Sequence, residues 1–491
     1  MRVLLVSANR EHIPDPIFPL GLAYVAAATR QAGHDVAAAD LCFGRRPLET
    51  LRRTIRTFRP DAVGLSLRNV DNAAWPRTTD YLDWHRQVVA TVRRSSNAVV
   101  ILGGSGFSIL PAEYLQALGG DWGIRGEAEG GFVSLLASLD SGLDPEPLPG
   151  LVRREPDGST AAPCPDTLQR PLSARRDDGR WPDRQLFDYA RYIRRGGTGN
   201  LQTKRGCVFK CNYCTYPLLE GDRFRSRPME DVVDEIEALQ QDYGPHPLFF
   251  VDSILNFPRG HVEAICEEIL HRGLRLRWSC YATPVKLDRH QARLMARAGC
   301  EGVELGSDAA DDGQLQRLDK SFRTDTVIAA NAHCLEAGLR VCHTLIFGAP
   351  GETRASIRNT CRVMRQIRPT AVVAMTGVRL YPGTPLSNRL IAAGRLRDSD
   401  IGLRPAFYIE PDIAGFLPGH LQQQAAEAGN WVLPGLEPPL LPVSQRVLRG
   451  LGVSGPLWRL LRYPAMRRIS RIKFRRPGTS WGIPNPRRIE R

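Results

Sequence analysis

Three cysteines, Cys207, Cys211 and Cys214, stand within eight residues at a C-x3-C-x2-C spacing. So tight a loop turns three thiolates toward one centre, and thiolates are soft ligands suited to iron–sulfur clusters or zinc. A closed structural zinc site takes four ligands. No second cysteine pair and no His-x3–5-His lies nearby to complete one. A 4Fe–4S cluster has four irons, so three cysteines leave one iron open to a substrate or cosubstrate.

Short apolar runs alternate with helical patterns on both sides of this loop. In residues 1–140 strands are expected at Val3–Val6, Val36–Ala39, Ala62–Leu67, Ala98–Leu102 and Trp122–Ile124. Helices are expected at Leu20–Gln31, Leu48–Phe58, Asp80–Arg93, Pro111–Leu118 and about Glu127–Leu139. Such alternation implies an α/β fold with a doubly wound, Rossmann- or flavodoxin-like parallel sheet. Sheets of that kind bind ligands at the carboxyl ends of their strands. Gly103-Gly104-Ser105 and Gly126 follow strands, where glycine lets a backbone approach a ligand closely.

Residues 141–198 are rich in Pro, Gly, Arg and Asp, as in Arg175-Arg176-Asp177-Asp178-Gly179-Arg180, and read as a linker. A second series fills residues 199–395. Its strands are expected at Leu201–Lys204, Leu248–Val251, Leu276–Tyr281, Gly302–Gly306, Val341–Phe347 and Ala371–Val378. Six such units suit a partial, TIM-like (β/α)6 barrel with its chemistry at the carboxyl ends of the strands. The cysteine loop follows the first of them. The barrel pattern stops near residue 400, and 396–491 form a C-terminal region. Cys280 reads as a buried small hydrophobe.

Most of the net charge of +14 belongs to the C-terminal extension. Residues 446–491 carry 13 Arg or Lys against one acid, Glu490. This basic tail has three open readings: a solvated cover over the barrel, a dock for an anionic partner or carrier, or a contact with an anionic membrane surface. Charge alone does not make nucleic acid a partner. The other eight of the 11 cysteines are scattered singly, which fits a cluster protein of the reducing cytoplasm rather than a disulfide framework. Met1–Val6 reads as a strand and not a signal peptide, and no run of 18 apolar residues appears.

The cysteine spacing, with Tyr213 just before the third cysteine, resembles the radical S-adenosylmethionine enzymes. That resemblance implies a 4Fe–4S cluster whose open iron chelates S-adenosylmethionine. By position it places the contact to the methionyl amino group at Asp252 and Ser253. It places ribose and carboxylate contacts at Glu304 and Ser307, and the turn near the adenine at Ile346–Glu352, with Gly348. Tyr381-Pro382-Gly383-Thr384-Pro385 is a feature of the cobalamin-binding subgroup.

The first 140 residues resemble the cobalamin-binding domain that precedes many of these barrels. The resemblance rests on Pro19-Leu20-Gly21-Leu22, Gly33-His34-Asp35-Val36, Ser66, Gly103–Ser105 and Arg125-Gly126-Glu127-Ala128-Glu129. It implies that Ser66, Gly103, Gly104 and Ser105 line the corrin and its nucleotide tail, with Gly126 and Glu127 at the next strand end. The D-x-H-x-x-G motif is absent, and His12, His34 and His85 stand in other contexts. Cobalamin is therefore expected to bind without a histidine ligand.

The implied activity is C-methylation of an unactivated carbon of a secondary metabolite or lipid, through a 5′-deoxyadenosyl radical and methylcobalamin. The alternative is a cyclase or rearrangement enzyme using the same cofactors. Implied partners are a small-molecule or carrier-tethered substrate and an electron donor such as flavodoxin or ferredoxin. A methylthiotransferase would carry further N-terminal cluster cysteines, and here Cys42 alone precedes Cys164.

Overall fold

The computed structural model describes residues 1–145, 148–155, 160, 181–437, 445, 447–449 and 452–474. Cys164, much of the expected linker and the basic residues from 475 onward lie outside the described residues.

The first sheet comprises β1 (Arg2–Ser7), β2 (Asp35–Asp40), β3 (Ala62–Ser66), β4 (Val99–Gly103), β5 (Trp122–Ile124) and β6 (Leu151–Arg153), in the order β2-β1-β3-β4-β5-β6. The first five strands run parallel. Val3 to Val6 are fully buried because helices cover both faces. From β1 the chain goes to β2 on one side, then crosses to β3 on the other. The resulting switch point lies at the carboxyl ends of β1 and β3. Ser7, Ser66 and Gly103 sit there in register. β6 belongs to the stretch read as linker, yet it closes this sheet by pairing antiparallel to β5.

The second sheet holds β7 (Gly199–Leu201), β10 (Leu248–Phe250), β11 (Trp278–Ala282), β12 (Cys300–Asp308), β13 (Arg340–Phe347), β14 (Ala371–Thr376) and β17 (Trp431–Val432), all parallel. Two expectations need correction. The strand expected over Leu201–Lys204 breaks after Leu201, because the Thr203 N–H bonds the Asp252 carboxylate at 2.7 Å. The chain then forms β8 (Lys204–Arg205), which pairs antiparallel with β9 (Arg225–Ser226). The cysteine loop hangs between these two arms. The barrel also does not end near residue 400. β17 adds a seventh strand, too short at two residues to show a period. Between them, β15 (Val378–Leu380) pairs with β16 (Ala406–Tyr408).

Side chains alternate across the barrel wall. Val303, Leu305, Val341, Leu345 and Phe347 face outward and are buried beneath helices. The intervening Glu304, Gly306, Thr344 and Ile346 stay partly exposed. Tyr281 is 39% exposed although it sits mid-sheet, so the barrel interior is open. Near the amino ends of the strands this interior is closed by Trp458. Its indole packs on Cys342 and Ala371 and donates to Glu304 at 2.8 Å.

The two sheets are tied together by buried polar contacts. Asn200 Nδ2 donates to the Phe18 carbonyl at 2.9 Å, Tyr192 to Asp40 at 2.8 Å, and Arg379 to Asp71 at 2.8 Å. Arg449 reaches the carbonyls of Pro14, Gly196 and Gly455. Among the described residues no helix is long and apolar enough to cross a membrane.

Candidate active site between the two sheets

Gly206 opens the cysteine loop at φ +88°, and a Cβ there would lie 1.9 Å from the Arg223 carbonyl oxygen. Only glycine fits. Donors converge on the sulfurs. The Phe209 N–H lies at Cys207, the Lys320 ammonium at Cys211 and the Tyr216 N–H at Cys214, while the Ser253 hydroxyl donates to the Gly206 carbonyl at 2.8 Å. Hydrogen bonds of this kind support thiolate ligands. Burial pushes all three thiols up, Cys214 to about 12, so their deprotonation has to accompany metal binding. Three thiols on one loop can each take a different iron of a cubane and leave the fourth iron open, so the donor set fits the cluster.

Beside the sulfurs, Asp308 accepts from the Tyr213 hydroxyl and pairs with Lys320 at 2.5 Å. Burial works against the Lys320 charge. Asp308 and Cys211 more than offset it and hold the ammonium above its ordinary range.

At the carboxyl ends of β1, β3, β4 and β5 a cavity of about 510 Å³ opens. Ser66, Gly103, Gly104, Ser105, Gly126 and Glu127 all line it. Gly104, at φ +95°, has no room for a side chain: a Cβ would lie 2.8 Å from the Leu67 carbonyl oxygen and 2.9 Å from Ser66 Oγ. The deep end runs under the sheet past Leu5, Gly64 and Phe132. Asn9 lines the mouth, and its Nδ2 is buried without a partner. A backbone-shaped cleft with a free amide donor suits a corrin and its amide-rich rim. Among the described residues the lining contains no histidine. His12 bonds the Cys42 carbonyl, His34 the N-terminus, and burial pushes His85 down to about 4.

The opposite wall of the cavity is the cysteine hairpin itself, through Gln202, Arg205, Tyr216, Leu219 and Glu220. Arg205 pairs with Glu127 at 3.0 Å and Glu129 at 2.6 Å, and Arg225 also pairs with Glu127. Burial would raise Glu127, but the two arginines prevail and hold it below the usual carboxylate range. Glu220 accepts the Gly206 N–H at 3.0 Å, and burial pushes it up to about 7. One wall thus serves the cavity on one side and the thiols on the other.

The residues expected to contact S-adenosylmethionine divide. Tyr213 and Ser253 lie beside the thiols. Gly348 forms a turn at φ +100°, its N–H donating to Glu352. Asp252 is wholly buried, with its oxygens taken by Thr203 and Lys204. Ser307 is buried as well. β12 runs on to Asp308, which turns Ser307 outward to bond His343 at 2.7 Å and leaves Asp308 on the inner face. Glu304 is on the inner face but mid-strand, held by Trp458. Arg205, Glu220, Asp308 and Lys320 were missed. Arg205 and Glu220 flank the cysteine motif in sequence, and that proximity was the available signal.

Residues 6–136 match the B12 binding domain family, and residues 201–364 match the radical SAM superfamily. The chain is 30% identical over 447 residues to the tryptophan 2-C-methyltransferase of Streptomyces laurentii, covering 79% of this chain and 74% of that protein. It is 27% identical over 399 residues to an uncharacterized methyltransferase of Pyrococcus horikoshii, covering 80% and 83%. The solved structure of the radical S-adenosylmethionine methyltransferase TsrM from Kitasatospora setae, with cobalamin and a [4Fe-4S] cluster bound, superposes with a TM-score of 0.82. That match spans 96% of this chain and 99% of that one at 26% identity.

Proposed function

Because this chain belongs to the cobalamin-dependent radical S-adenosylmethionine methyltransferases, we propose that it methylates a carbon of a small molecule held inside the barrel. The observation that carries this reading is the wall shared by the cavity and the cysteine hairpin, which sets both cofactor sites against one interior. When bound, cobalamin supplies the methyl group, and the cluster with S-adenosylmethionine supplies the one-electron chemistry.

The protein's part is to hold, orient and exclude. Cys207, Cys211 and Cys214 hold the cluster. Lys320, a buried cation beside them, suits the carboxylate of S-adenosylmethionine. Ser66, Gly103–Ser105, Gly126 and Glu127 cradle cobalamin. Phe249 and Tyr281 form an edge-to-face pair on the barrel's inner face, ring centroids 4.9 Å apart. Val251 and Ile346 add apolar surface, and Glu304 offers an acceptor. These residues support a small, partly aromatic substrate, of the size of a secondary-metabolite building block, that carries an N–H or ammonium group. The kinship with a tryptophan methyltransferase points the same way. An external one-electron donor such as flavodoxin or ferredoxin completes the system.

The test is anaerobic incubation of the cluster- and cobalamin-loaded protein with S-adenosylmethionine and reductant. A methyltransferase releases S-adenosylhomocysteine in a cobalamin-dependent way. A cyclase that transfers no methyl group gives 5′-deoxyadenosine and methionine without S-adenosylhomocysteine, and that result would overturn the reading.

A further inference from the structure

The Arg205 side chain faces the cavity while its backbone leads two residues on to Cys207, and we infer that it makes cobalamin binding and cluster assembly mutually dependent. The inference rests on assigning the cavity to cobalamin and the three thiols to the cluster.

The mechanical link is short. Arg205 is 6% exposed and stands two residues before Cys207. Gly206 between them has no slack, because its backbone is pressed against the Arg223 carbonyl and its N–H is held by Glu220. A shift of the Cys207 backbone therefore moves Arg205. The guanidinium is spread over the cavity wall, with Nη1 on Glu127, Nη2 on Glu129 and Nε on Gln202 at 3.1 Å. It also stacks over Tyr24, 5.3 Å from the ring centroid. Glu127, Glu129 and Gln202 all line the cavity. Arg225, from the other arm of the hairpin, grips Glu127 as well. Both arms that carry the cysteine loop thus hold the loop that follows β5.

The energetics make this link close to all-or-none. Removing one partner from a buried charge set leaves the others unpaired, which costs far more than the pair is worth. The hairpin and residues 126–129 therefore order together. Assembling the cluster fixes the hairpin, and so fixes the cavity wall before the corrin arrives. Cobalamin then binds a surface that is already ordered. Linkage requires the converse: bound cobalamin must hold the cluster more tightly by the same factor.

The test is a visible-absorbance titration of hydroxocobalamin into the full-length protein, with and without reconstituted cluster. In the wild type the cluster should lower the Kd by about 10-fold or more. In Arg205→Lys, which keeps the charge but loses the fork, the ratio should fall toward one. Glu129→Gln carries the same test should the lysine variant fail to fold. The reciprocal readout is iron release to a chelator, which cobalamin should slow in the wild type and not in the variants. Equal Kd values with and without cluster in the wild type, or an undiminished ratio in both variants, would overturn the inference. Failure of the cluster-loaded wild type to bind hydroxocobalamin at all would instead overturn the site assignment beneath it.

Discussion

The two cofactor sites are built on opposite principles. The N-terminal cleft is shaped by missing side chains: Gly64, Gly103, Gly104 and Gly126 line it, and among the described residues no histidine does. The hairpin site is built from charge, with Lys320, Asp308 and Glu220 acting on the thiols. A large, neutral-rimmed corrin needs volume and backbone contact. An anionic cluster needs ligands and compensating cations. The first site should therefore be sensitive to added side-chain bulk, and the second to added or removed charge.

The largest expected effect is on the charged side. Replacing Cys207, Cys211 and Cys214 together with alanine should abolish iron uptake, from about four irons per chain to none. Cobalamin should still bind, more weakly. Iron analysis and cobalt analysis on the same sample check both halves. Next is a change of shape alone. Gly104→Val places a β-branched side chain at φ +95° against Leu67 and Ser66. Cobalamin affinity should fall by about 100-fold or more while iron content holds, because a side chain there has no way out. Retained cobalt would show that the cleft is not backbone-shaped.

Lys320→Met should weaken S-adenosylmethionine binding by about 10- to 100-fold, the loss expected for a buried charged hydrogen bond. Equilibrium dialysis measures it. Loss of iron instead would show that Lys320 serves only the sulfurs.

The smallest effect concerns pH. Burial on the inner face pushes Glu304 up to about 7, with the Trp458 N–H working against the rise and Asp15 adding to it. The folded chain then keeps a proton that the unfolded chain releases near 4.5. That stabilisation is complete below about pH 4.5 and is lost as pH rises toward 7. Glu304→Gln should flatten the fall in melting temperature between pH 5 and pH 8. An unchanged slope would mean that Glu304 is ionised in the fold. Glu220, raised for the same reason, acts with the same sign.

The parts legible in the sequence are those that local chemistry dictates. The cysteine spacing, the glycines after β4 and β5, and the helix Leu20–Gln31 each announce themselves within a dozen residues. Partners that meet only in the folded chain stay hidden. Arg205 and Glu129 are 76 residues apart, and nothing in either neighbourhood names the other. Strand ends are the other blind spot. Two residues more of β12 decide that Asp308 faces the interior and Ser307 does not. Asp252 sits at a strand end as read, but Lys204 beneath it claims the carboxylate. β17 and the Trp458 plug follow a region with no sustained period, so only tertiary packing reveals them.

The central claim is that a single wall separates cobalamin from the cluster. Electron paramagnetic resonance of protein-bound cob(II)alamin tests it most directly, recorded with the cluster absent and with the cluster present and reduced. A wall one hairpin thick should leave the two spins close enough to broaden or split the cobalt signal when the cluster is reduced. A cobalt spectrum that is identical in line shape and relaxation in both samples would contradict the account.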